Sequence, residues 1–141
     1  MVITDDRDWE VELQSKYPTL LKNIYIECGE GWKEIIENTC DQILTHEAFL
    51  KNSGIPVVDF EDEVMRDDDY CSVRIVQIKQ KFGGLRIYYD GGDKIIQDIV
   101  REAETKALTT CEYCGSKENV KLRRHNSWLY TGCDKHDSTK Y

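Results

Sequence analysis

Ser72-Val-Arg-Ile-Val-Gln-Ile-Lys-Gln-Lys-Phe-Gly-Gly-Leu-Arg-Ile-Tyr-Tyr-Asp90 is the stretch on which the fold turns. β-Branched and aromatic residues alternate with polar ones on both sides of Gly83-Gly84, and two adjacent glycines let both central positions of a tight turn take positive φ. The pattern predicts an antiparallel hairpin over 72–90 with Gly83 and Gly84 at its tip. In that register Phe82 faces Leu85, Lys81 faces Arg86, Gln80 faces Ile87, Lys79 faces Tyr88 and Ile78 faces Tyr89. Val76, Ile78, Phe82, Leu85, Ile87 and Tyr89 then form an inward face. Gln77, Lys79, Lys81, Arg86 and Tyr88 form the outward one.

Helical periodicity flanks this hairpin on both sides. Trp9, Leu13 and Tyr17, then Leu20, Leu21 and Ile24, predict two short helices within 5–26 that meet at Tyr17-Pro18. Cys28-Gly29-Glu30-Gly31 reads as a turn with two glycines free to take positive φ. Trp32, Ile35, Ile36, Thr39, Cys40, Ile43 and Leu44 recur at intervals of three and four, predicting an amphipathic helix to about Leu50, stopped by Asn52-Ser53-Gly54 and Pro56. After Asp90-Gly-Gly-Asp93, a helix over 94–108 carries Ile95, Ile96, Ile99, Val100, Ala103 and Ala107 on one face. The sequence class is therefore α+β. Helices pack on one face of a small antiparallel sheet, with a body over 1–110 and a metal-binding module over 111–141 integral to the same domain.

The chain has 141 residues and a formal net charge of −8, partitioned unevenly. Residues 1–70 hold 6 Lys/Arg against 18 Asp/Glu, while residues 71–110 hold 7 against 5 and residues 111–141 hold 6 against 4. An acidic front argues against wholesale nucleic-acid binding and leaves room for a local basic patch. No apolar run approaches the roughly 20 residues of a membrane span, and Met1–Trp9 lacks the apolar core of a secretory signal. The expectation is a soluble, cytoplasmic protein whose cysteines are thiols or metal ligands. Residues 59–69 contain seven acids and read as an exposed, self-repelling loop. Asp67, Asp68 and Asp69 also invite a Ca²⁺ reading, against which the glycine and closing glutamate of an EF-hand loop are missing.

Cys40 and Cys71 read as buried structural thiols. Cys111-Glu-Tyr-Cys114-Gly115 and Cys133-Asp-Lys-His136 are different. A two-residue spacer lets both side chains of a pair reach one ion, and three thiolates with one imidazole suit structural Zn²⁺. Val120–Arg124 and Trp128–Thr131 predict a short hairpin that carries the second pair back, as in a treble clef or zinc ribbon. A redox dithiol would use Cys111 and Cys114 but leave Cys133 and His136 idle. Metal binding also explains how a tail poor in apolar residues folds. His125, next to Arg123 and Arg124, invites comparison with HNH-type nucleases. Only seven residues separate it from Cys133, too few for the loop that holds the second catalytic residue. His46 reads as a helix-surface residue. No catalytic constellation emerges.

Tyr17-Pro18-x-Leu20, Cys28-Gly-Glu-Gly-Trp32, Gln77-Ile-Lys-Gln-Lys-Phe-Gly-Gly-Leu-Arg-Ile-Tyr88 and Cys111-x₂-Cys-Gly with Cys133-x₂-His136 occur in this order. Together they resemble a group of small proteins of unknown function from bacteria, prophages and phages. That group pairs a K-F-G-x-L-R-F/Y hairpin with a C-terminal C-x₂-C…C-x₂-H cluster. The resemblance covers residues 17–136; Glu30 and Ile87 stand where Asp and Phe are expected, and 59–69 is outside the pattern. It implies no activity, but it does imply a bacterial or phage setting and an accessory protein that modulates a host system. Two surfaces suggest themselves for a host protein partner. One is the outward hairpin face of Lys79, Lys81, Arg86 and Tyr88; the other is the acidic run at Asp67, Asp68 and Asp69. Nucleic-acid binding through the hairpin and Lys121, Arg123 and Arg124, with Trp128 and Tyr130 stacking on bases, is the alternative.

Overall fold

A computed structural model describes residues 8–58 and 70–136. Its helices are α1 (Asp8–Lys16), α2 (Lys33–Asn52, entered through a 3₁₀ turn at Glu30–Trp32) and α3 (Lys94–Ala107). Its strands are β1 (Ile26–Glu27), β2 (Val57–Val58), β3 (Tyr70–Cys71), β4 (Arg74–Lys81), β5 (Gly84–Asp90), β6 (Lys121–His125) and β7 (Trp128–Gly132). β1, β4 and β5 form one sheet in that order, β1 parallel to β4 and β5 antiparallel to it. β2 and β3 pair in parallel, and β6 and β7 form a second antiparallel hairpin. The α+β class is as the sequence indicates.

One continuous core explains why these elements coexist. Leu13 from α1, Trp32, Ile36 and Ile43 from the second helical segment, and Ile96, Val100 and Ala103 from α3 close over Ile26, Ile75, Ile78, Leu85 and Ile87 of the sheet. The outer stripes of the two long helices depart slightly from expectation, since Leu44 and Ile95 are exposed.

Several local readings need correction. The hairpin turns at Phe82-Gly83, both with positive φ (53° and 84°), and not at Gly83-Gly84. Lys81 therefore faces Gly84, Gln80 faces Leu85, Lys79 faces Arg86 and Ile78 faces Ile87. The slip is by two residues, so Ile78, Leu85 and Ile87 keep the inward face and Lys79 and Arg86 the outward one. Gly84 is the first residue of β5, paired with Lys81, and the Arg86 guanidinium lies beside it. A bulge between Ile75 and Gln77 turns Val76 outward (51% exposed), and Ile75 takes the core place assigned to it. Phe82 is likewise outside the core.

The second N-terminal helix is a single turn, with the Leu21 amide donating to the Tyr17 carbonyl. Asn23 at φ 60° ends it, and Ile26 pairs with β4 as a strand. The acidic loop reading at 59–69, including Asp67, Asp68 and Asp69, lies outside the described residues.

Glutamate side chains close the sheet. Glu10 Oε1 accepts from the Ile26 amide at 2.8 Å on one edge, and Glu104 Oε2 accepts from the Ile87 amide at 3.0 Å on the other. Glu47 Oε2 accepts from Val73 N and Tyr70 Oη. His46 is not a surface residue. Its side chain is 10% exposed, its Nε2 is 2.8 Å from Asp93 Oδ2, and its ring meets Tyr70 edge-on. Asp93 also caps α3 through Ile96 N.

Two measurements probe these contacts. Glu104→Ala should lose about 1–3 kcal/mol in urea unfolding and acquire concentration-dependent dimers in sedimentation, because an edge amide is bared. Glu104→Gln keeps an acceptor and should restore most of both. An undiminished, monomeric Glu104→Ala protein would mean that the edge is protected by other means. At Asp93, burial opposes ionisation, but hydrogen bonds from His46 and the Ile96 amide outweigh it and hold the carboxyl below the ordinary aspartate range. A depressed carboxylate stabilises the fold above its unfolded pKa, and that contribution disappears as pH falls through the folded value. The stability gap between wild type and Asp93→Ala should therefore narrow as pH is lowered through and below the aspartate range, read by urea titrations. A gap that widens there would contradict the assignment.

Candidate metal centre

The knuckle at Cys111–Gly115 is closed by its own backbone. Gly115 N donates to the Cys111 carbonyl at 2.9 Å, with Gly115 at φ 79°, and Cys111 N donates to the Ser116 carbonyl at 2.8 Å. β6 and β7 then carry the chain out and back through a turn at Asn126, where His125 faces Trp128. Cys133 follows β7 directly, and a 3₁₀ turn at Asp134–His136 brings His136 beside it, its amide donating to the Cys133 carbonyl. Knuckle, hairpin and helical turn follow one another as in a treble clef.

This arrangement gathers all four predicted ligands. Cys114 Sγ is 3.6 Å from Cys133 Sγ, and His136 Nδ1 is 3.5 Å from Cys111 Sγ and 3.4 Å from Cys133 Sγ. All four donor atoms lie within 4.8 Å of one another. A tetrahedron with zinc–ligand bond lengths has edges of about 3.5 Å for S···N and about 3.8 Å for S···S, so the donors fit one such ion. At Cys133 burial opposes ionisation, but hydrogen bonds from His136 and the Lys135 amide outweigh it and bring the thiol down to about 6. Burial, followed by its thiol neighbours, pushes Cys114 up. The four residues could hold a metal ion, and the donor set is consistent with zinc.

No family model, curated protein or solved structure matches this chain. The site is therefore read from its own surroundings. Arg123 is buried beneath it. Its Nε donates to the Gly132 carbonyl at 2.9 Å and its Nη2 reaches Asp134 Oδ1 at 3.1 Å, tying β6 to the turn that bears His136. Tyr130 is also buried, edge-on to Tyr113, whose ring lies 5.5 Å from that of His136. Arg123 and Tyr130 are thus supports of the centre and not parts of an outward surface.

Sequence reasoning missed how the centre joins the body. Gly31 N donates to the Glu112 carbonyl at 2.7 Å, Gly29 N to Glu112 Oε2 at 3.0 Å, and the Trp32 indole to the Thr110 carbonyl at 2.9 Å. Gln80 Nε2 donates to the Leu129 carbonyl and to Glu112 Oε1, and Thr131 Oγ1 donates to the Gly83 carbonyl. Gly29 and Gly31 do not use the positive φ open to them. They are glycines because a Cβ at 31 would lie 2.1 Å from the Cys111 carbonyl oxygen, and one at 29 would lie 2.4 Å from that of Glu112. Burial raises the Glu112 carboxyl, with the Gln80 and Gly29 hydrogen bonds partly offsetting it.

The outward residues of the first hairpin do assemble. Lys79 faces Arg86 across β4 and β5, and its Nζ lies 5.8 Å from the Tyr88 ring. Lys81 is exposed at the tip, its Nζ 5.8 Å from the Phe82 ring. His125 and Trp128 are exposed at the tip of the second hairpin. Cys40 is buried, its thiol pushed up to about 12 by burial and then by Asp41 and Glu37; Cys71 is buried too. Among the described residues, no helix is long and apolar enough to cross a membrane.

Purified protein should carry one metal ion per chain by native mass spectrometry. Cys133→Ser should lose it, whereas Cys40→Ser should keep it. Chelation should unfold 111–136, since structural zinc supplies on the order of 10 kcal/mol of folding free energy. A metal-free preparation of undiminished stability would exclude the centre.

Proposed function

We propose that this chain is a small, non-enzymatic zinc protein that acts by binding another protein through the outward face of its central hairpin. Four protein ligands leave the ion no open position, which makes its role structural. The observation that carries the reading is the cationic, aromatic face of Lys79, Lys81, Arg86 and Tyr88, presented on a rigid ribbon by a protein that is acidic overall. Such a face suits an acidic partner. The resemblance to bacterial, prophage and phage proteins supports a setting in the bacterial cytoplasm, where the protein would inhibit or modulate a host defence or nucleic-acid-processing system.

Nucleic-acid binding is the second reading, favoured by Trp128, Lys121 and Arg124, all exposed on the second hairpin. It is weakened by the burial of Arg123 and Tyr130, two of the five side chains it calls on.

The test is affinity capture from nuclease-treated bacterial lysate at low and high salt, with wild type and a Lys79→Glu/Lys81→Glu/Arg86→Glu variant. One protein retained by wild type and lost by the variant is the expected result. Capture that vanishes with nuclease, and whose affinity for nucleic acid falls steeply with salt, would transfer the function to the second reading. Retention by the variant would remove this face from the function.

A further inference from the structure

Phe82 is in the wrong place for a structural residue. The two-residue turn at Phe82-Gly83 has positive φ at both positions, the signature of a type I′ turn, where Asn-Gly is the favoured pair. Left-handed φ is strained for a bulky side chain. Among the described non-glycine residues, the others with positive φ are Asn23, Asn119 and Asn126, the residue type that tolerates it. Phe82 is the exception, and packing does not compensate, because its side chain is 73% exposed.

Its surroundings are ordered. Gly83 is fixed from beneath by Thr131 Oγ1, and its amide donates to Gln80 Oε1. Leu122, 57% exposed, abuts the same loop, its Cδ1 standing 2.3 Å from where a Cβ on Gly83 would be. Lys81 lies over the Phe82 ring, and Arg86 folds across Gly84, Nη1 donating to the Leu85 carbonyl. An apolar knob therefore projects from the tip beside Lys81, with Arg86 folded over the adjoining Gly84, at the end of the face to which the proposed function already points.

We infer that Phe82 is the anchor of the binding surface, and that the partner is a protein presenting an apolar pocket rimmed by carboxylates. Lys81 and Arg86 meet the rim and the Phe82 ring fills the pocket, as hot-spot aromatics do. Backbone strain retained at an exposed position is the mark of a functional site. The inference rests on the hairpin-face reading and adds to it the residue that carries affinity.

Two acidic polymers separate the terms: polyglutamate, and a random glutamate–tyrosine copolymer that adds aromatic groups. Each is titrated with metal-loaded wild type, with Phe82→Asn and with the Lys79→Glu/Lys81→Glu/Arg86→Glu variant, and oligothymidylate serves as a third probe. Wild type should prefer the copolymer to polyglutamate. Phe82→Asn should melt about 2–6 °C higher, from relief of the turn. It should also lose roughly tenfold in copolymer affinity, with polyglutamate binding unchanged. A Phe82→Asn protein that melts lower, or that keeps the copolymer preference, would overturn the inference. So would a wild type without that preference, or one that binds oligothymidylate more tightly. Where polyglutamate binds wild type and not the charge-reversed variant, the hairpin face survives even if Phe82 fails. If neither polymer binds, the face itself falls.

Discussion

Gly31 lies so close to the metal knuckle that its amide donates to the Glu112 carbonyl, and a single methyl group at position 31 would collide with the carbonyl of Cys111. The rest of the molecule depends on that approach. It lets Gly29 reach the Glu112 carboxylate and sets the Trp32 indole on the Thr110 carbonyl. Gln80, from the opposite side, then bridges Glu112 and Leu129. Residues 111–136 gather their four donor side chains at one point, and these bonds make that segment the cover over one end of the core. A metal centre that looks like an appendage in sequence is in the structure the piece that closes it.

What the sequence disclosed follows from chemistry that tolerates few substitutes. Cys111, Cys114, Cys133 and His136 are legible because ligand identity and spacing are set by the ion. The hairpin and the two long helices are legible because burial imposes a period. The exact turn is not, since two glycines mark a turn without saying which of them occupies it; the contact of Gly83 with Thr131, 48 residues away, and its bond to nearby Gln80 make that choice. β1 has two residues and no pattern of its own, and exists only by pairing with β4. Glu10, Glu47, Glu104 and Glu112 are indistinguishable from surface acids until the amides they receive are placed. His46 was misread for the same reason, its partner Asp93 being 47 residues away.

Charge is segregated to match. The acidic front supplies Glu10 to the β1 edge, and Glu104 of α3 closes the β5 edge, whereas the cations of β4 and β5 sit on the face turned away from the helices. Lys79 and Arg86 are opposite one another in the ladder, an arrangement that disfavours the isolated hairpin. A binding role gives that juxtaposition a use, since an anionic partner would relieve it.

The Trp32 indole and its acceptor are separated by 78 residues, and Gly29 and Glu112 by 83. At synthesis rates of about 5–20 residues per second, that gap corresponds to several seconds or more in which Trp32 has no acceptor and the glycine turn has no knuckle to receive. Contacts of such long sequence separation also form late in folding. The order of assembly is thus written into the chain. The helices and the first hairpin can collapse early, but they stay uncapped until Cys133 and His136 have been made and have folded back onto Cys111 and Cys114.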